Sequence, residues 1–98
     1  MEITIKHEQN LTIALKGRLD TITSADLDTA FKNEVVNEDL VVFDFTEVEY
    51  ISSAGLRVIL AIKKSLEANN KHLEIHNIND VVKEVFTVTG FINILTIK

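Results

Sequence analysis

The chain has 98 residues, a formal net charge of −5 and 46% apolar residues, with neither cysteine nor proline. That length suits one small domain over residues 1–98, and the apolar fraction is too high for a disordered chain. The lack of cysteine excludes disulfides and thiol chemistry, and the negative charge opposes nucleic-acid backbones and anionic membrane surfaces.

The opening stretch MEITIKHEQN has no apolar run of signal-peptide length. Apolar runs such as VILAI at 58–62 are far too short to cross a bilayer. A cytoplasmic location without membrane insertion is therefore expected. Lys and Arg are scattered, and no nucleic-acid signature is present.

EITIKHE at 2–8 alternates Ile3 and Ile5 with polar residues, as does NLTIALKG at 10–17 with Leu11, Ile13 and Leu15. Both read as strands with one wet face, and the short link between them suits an antiparallel hairpin. ITSADLDTAFKNEVVN at 22–37 changes to a helical period. Thr23 is the expected cap with Asp26 as its reciprocal partner, and Ile22 and Leu27 occupy the positions of a hydrophobic staple. Leu27, Ala30, Phe31 and Val35 continue the stripe.

LVVFDF at 40–45 reads as a central strand. SAGLRVILAIKKSLEANN at 53–70 reads as a helix with Leu56, Ile59, Leu60 and Leu66 on one side, widened by Val58 and Ile62. KHLEIHN at 71–77 is a short strand, and NDVVKEVFTVTG at 79–90 is a third helix that ends at Gly90 in a left-handed cap. FINILTI at 91–97 reads as a terminal strand. The order β-β-α-β-α-β-α-β implies parallel pairing after the first hairpin.

The polar candidates are few. His72, Glu74 and His76 share one strand face, but His72 and His76 lie about 13 Å apart at strand spacing. A zinc ion needs ligands at about 2 Å, so this row reads as a wet face. Gly17 and Gly55 belong to no phosphate-binding loop, and no nucleotide cofactor is expected. Asp20 and Asp44 each follow an apolar run near its expected end, where open α/β sheets place functional groups. Asp20 equally suits a turn before the first helix. Tyr50, the single tyrosine, is expected to pack at the sheet edge.

YISSAGLRVI at 50–59 joins two serines to an apolar helical run. Ser52 or Ser53 can cap the helix. A hydrolase elbow needs Gly-x-Ser-x-Gly, and position 51 is Ile. Phosphate is the third reading, because a helix N-terminus tolerates a dianion. The residues alone leave these readings open.

DFTEVEYISSAGLRVIL at 44–60 resembles the signature region of the STAS family (sulfate transporter and anti-sigma-factor antagonist), especially its small stand-alone bacterial anti-sigma-factor antagonists. LKGRLDTITSADLDTAF at 15–31 resembles that family's first-helix region, with Gly-x-Leu-Asp at Gly17–Asp20. The resemblance implies an α/β STAS-like fold, a mixed sheet of four or five strands packed against helices. It implies a non-enzymatic protein, without cofactor or metal, that binds an anti-sigma factor in its unphosphorylated form. That partner is often a serine kinase, and a phosphoserine phosphatase reverses its action.

The family phosphoacceptor is the serine two residues before the motif glycine, so it corresponds to Ser53, with Gly55 as the glycine. Asp20 corresponds to the aspartate near the phosphoacceptor. Ser52 stands where many members have Asp, and Ala54 where many have Ser or Thr. Helix 53–69, including Arg57, and the loop around Asp20 are the expected contact surface. Two other readings are a STAS interaction module without a phosphorylation cycle and an enzyme with Ser53 as nucleophile.

Overall fold

A computed structural model describes residues 1–98. Its strands are β1 (Glu2–His7), β2 (Leu11–Leu19), β3 (Leu40–Ile51), β4 (His72–His76) and β5 (Thr96–Ile97); its helices are α1 (Thr21–Lys32), α2 (Ser53–Ala68) and α3 (Asp80–Val88). One five-stranded sheet runs in the order β1-β2-β3-β4-β5. β1 is antiparallel to β2, and every other neighbouring pair is parallel. The expected hairpin and parallel pairs are both present.

Register makes the sheet one-sided. Ile5 lies opposite Ile13, Ile13 opposite Phe43, and Phe43 opposite Ile75. Ile13, Phe43 and Ile75 join Leu27, Ile59, Leu66, Val82 and Phe86 in one core cluster with all three helices, and Ile5 packs against it. The opposite face carries Thr12, Ala14, Asp44, Glu74 and His76. Val42 is the buried apolar residue outside the cluster. Burying a side chain such as Phe43 stabilises the fold by about 1.5–3 kcal/mol relative to exposure.

β3 runs six residues beyond the expected end at Phe45. Its residues in the core cluster are spaced by two at Val41, Phe43 and Phe45, then by three at Val48 and Ile51. A strand normally alternates strictly. Here register shifts between Ala14 and Lys16 and between Gly17 and Arg18 absorb extra β3 residues. Gly17, at φ +112, supplies backbone freedom for the second shift. The broken alternation is why the sequence pattern stopped short.

Other boundaries are also corrected. α1 ends at Lys32, and Val35 is 73% exposed rather than part of a helical stripe. Stopping the helix there lets Val36 pack against the core on the way to β3. In α2, Leu60 is only half-buried, whereas Ile62 is buried. Gly90 adopts the expected left-handed conformation, at φ +80. The next residues form a 3₁₀ turn at Phe91–Asn93 instead of a long strand. Both the Ile94 and Leu95 amides donate to the Phe91 carbonyl, and Leu95 is buried.

β4 pairs with β3 only as far as Asp44 opposite His76. Beyond that point Asn79 takes over. Its side chain accepts from the Val82 amide at 2.8 Å, capping α3, and donates to the Val48 carbonyl at 3.0 Å. This partly satisfies the unpaired edge of the long β3 strand. No helix is long and apolar enough to cross a membrane.

Candidate functional site

The C-terminal ends of β2 and β3 bring the main candidates together. Leu19 pairs with Ile51, and the Ser52 amide donates to the Leu19 carbonyl at 2.9 Å. Asp20 and Ser52 are the next residues on neighbouring strands, which run about 4.8 Å apart. Each caps a helix, so α1 and α2 start side by side.

Asp20, rather than Thr23, caps α1. Its Oδ1 accepts from the Ile22 and Thr23 amides, each at 3.0 Å. Thr23 is the reciprocal partner: its hydroxyl accepts from the Asp20 amide at 2.9 Å. Asp26 takes no part in this capping box. Ile22 is 80% exposed, so the expected staple with the buried Leu27 is absent. Buried Ser24 secures the same turn by donating to the Asp20 carbonyl.

α2 separates the two serines. Ser52 is half-buried and caps the helix through a long 3.5 Å contact from the Gly55 amide to its Oγ. Ser53 is the first helical residue and is exposed. Ala54 is half-buried, and Arg57 is exposed one turn after Ser53. Gly55 is buried where a Cβ would lie 2.9 Å from Leu19 Cγ and Ile51 Cγ1, and 3.0 Å from the Leu19 carbonyl oxygen. Only a residue without a side chain lets α2 start this close to both strands.

The electrostatics favour an ionised Asp20. The Thr23 amide is the main influence holding its carboxyl below the usual 3.8. The Thr23 hydroxyl, the Ile22 amide and the Arg18 charge act in the same direction, against partial desolvation. Arg18 also lies over the Tyr50 ring, 4.7 Å from its centroid. Tyr50 therefore lies beside Arg18 on the part of β3 that has run past its pairing with β4, an open edge of the sheet as expected. Thr23, Arg18 and Leu19 were not among the expected site residues. The S/T-x-x-D-like pattern drew attention to the wrong partner, and Arg18 meets Tyr50 only because of the register shift.

Asp44 does not join this site. It lies within β3 on the open sheet face, because the strand continues past it. The Thr46 hydroxyl chiefly lowers its carboxyl from 3.8, with help from the Thr46 amide and Asn77 against burial. The histidines also lie elsewhere. His7 contacts Glu34 and Glu38, His76 contacts Glu74, and His72 pairs with Leu40 at the start of β3. None provides Ser53 with the adjacent base a serine nucleophile needs.

The model described as "STAS domain" matches residues 2–98. The chain belongs to the STAS domain family. It is 30% identical to an anti-sigma-B factor antagonist of Listeria monocytogenes over 99 aligned residues, covering 100% of this chain and 87% of that protein. A crystal structure of an anti-sigma factor antagonist from Mycobacterium paratuberculosis superposes with a TM-score of 0.86 at 18% identity, covering 98% of this chain and 83% of that one. The anti-sigma factor antagonist SpoIIAA in its unphosphorylated form gives a TM-score of 0.75 at 19% identity, covering 99% and 88%. These solved structures share the STAS fold with this chain.

Proposed function

We propose that this STAS protein is an anti-sigma-factor antagonist, switched off by phosphorylation of Ser53. The observation that carries the reading is the division of labour between adjacent serines. Ser52 caps α2, while Ser53 presents an exposed side chain at its first position. The naming of the Listeria relative supports the same role.

Phosphate on Ser53 would add about −1.5 to −2 charge. The free amides and dipole of the first helical turn stabilise such an anion. Arg57, four residues further along α2, lies on the same helix face and offers a charge-assisted partner. The ionised Asp20 at the adjacent helix start adds negative charge. The fold can therefore retain its helix while the docking surface becomes strongly anionic. A partner fitted to the neutral serine is repelled.

In this reading the partner is an anti-sigma factor with serine-kinase activity, a phosphatase restores the serine, and the cycle runs in the cytoplasm. The chain itself performs no catalysis. Incubation with candidate kinases from the same genome and ATP, followed by intact-mass analysis and site mapping, tests the assignment. One phosphate is expected on Ser53 and none on Ser53→Ala. Ser53→Asp should weaken partner binding, while Ser53→Ala should preserve it. Equal phosphorylation of Ser53→Ala would overturn the acceptor assignment. The departures at Ser52 and Ala54 favour a second reading, an interaction module without this cycle, whose partner binding would be unchanged by Ser53→Asp.

A further inference from the structure

At the far end of the sheet, His7 sits between two carboxylates. Its Nδ1 is 2.7 Å from Glu38 Oε2, and its Nε2 is 2.8 Å from Glu34 Oε1. A neutral imidazole has only one N–H donor. Two ring nitrogens facing two ionised carboxylates can both donate only when the ring is an imidazolium. The second nitrogen of a neutral ring would direct a lone pair at a carboxylate.

The contacts join separate segments. His7 ends β1, whereas Glu34 and Glu38 lie on the connection from α1 to β3. The Glu38 side chain is only 9% exposed. Its Oε1 also accepts from the Asn37 amide at 3.1 Å, and its backbone carbonyl accepts from Lys71 Nζ at 2.9 Å. Lys71 precedes β4, so the connection is held from both sides. The acidic groups facing His7 are Glu34 and Glu38, and the nearby cation from β4's approach, Lys71, binds a carbonyl rather than either carboxylate.

We propose that His7, Glu34 and Glu38 form a proton-dependent clasp that fastens the β1–β2 hairpin to the α1–β3 connection while the His7 ring is doubly protonated. Loss of one ring proton removes the positive charge facing both carboxylates and leaves one of them opposite a nitrogen lone pair. The Glu34 hydrogen bond, followed by that of Glu38, raises His7 above 6.5 against partial desolvation. While both carboxylates stay ionised, the clasp is therefore complete below the unfolded value of 6.5 and opens as pH rises through the higher folded value. Glu34 also borders a groove of about 410 Å³ between the C-terminal parts of α1 and α2, with Phe31, Ala61 and Leu66.

NMR titration of the His7 ring in the full chain tests the proposal, with the peptide MEITIKHEQN as reference. The midpoint should lie above that of the peptide, and Glu34→Gln and Glu38→Gln should each lower it. Amide exchange at 33–39, corrected for intrinsic pH dependence, should accelerate through the same midpoint, while exchange at 59–66 does not. A His7 midpoint equal to that of the peptide would overturn the clasp. Exchange at 33–39 that ignores His7 titration would overturn its role as a fastener. Glu34→Gln alters the more exposed carboxylate, so it keeps the test usable if Glu38→Gln unfolds.

Discussion

α1 starts within a closed set of hydrogen bonds, whereas α2 starts with one long contact and a tightly packed glycine. At α1, Asp20, Thr23 and Ser24 satisfy one another and the local backbone. At α2, Ser52 reaches the Gly55 amide at 3.5 Å, and close approach to Leu19 and Ile51 fixes the helix. Polar closure builds the first start, and steric fit builds the second. The second start therefore leaves the Ser53 side chain exposed without relying on it to hold the helix.

Leu19 underlies this contrast, because it is fully buried and touches the Gly55 position. Leu19→Ala should destabilise the fold by about 2–5 kcal/mol in urea denaturation. Gly55→Ala should cost about 1–3 kcal/mol through overpacking. Its effect should shrink in the Leu19→Ala background, where one obstacle has been removed. Strict additivity in that double-mutant cycle would show that steric contact with Leu19 does not set the position of α2.

Smaller effects compare the polar caps. Thr23→Val removes the reciprocal partner of Asp20 and should cost about 1 kcal/mol. Ser52→Ala should cost about 0.5 kcal/mol, because its capping contact is long. Ser53→Ala should change stability by less than about 0.5 kcal/mol. A larger loss for Ser53→Ala than for Ser52→Ala, measured by thermal and urea unfolding, would reverse the assigned roles of the serines.

Acid should act on the α1 start. The Asp20 carboxyl is lowered from 3.8, so its contribution to stability is complete above that unfolded value. It is lost as pH falls through the folded value. Asp20→Asn should therefore flatten the acid limb of a stability–pH profile. An unchanged acid limb would remove Asp20 from the groups that stabilise the native state at neutral pH.

The alternating hairpin, the three helices and the pairing of Gly55 with a candidate serine were all legible in the sequence. The cap at Asp20 was less legible, because Thr23 and Asp26 have capping spacing of their own. Tyr50 beside Arg18 was hidden for a different reason. Their partnership depends on a register that shifts twice along β2 and β3. FINIL likewise looked like strand because its apolar residues are dense, yet Gly90 and Phe91 turn the chain to cover the end of the core.

Local chemistry determined which residues could be buried, which could cap, and where a phosphate could be tolerated, because each depends on neighbours only a few positions away. Tertiary structure decided which serine caps α2, and it is Ser52. The Ser52 amide is tied to Leu19, on a neighbouring strand, and Gly55 fits against that strand and Ile51. Those contacts span more than thirty residues of sequence, from Leu19 to Ser52. Capping spacing by itself allows either serine, so no short-range pattern shows which of them holds the helix.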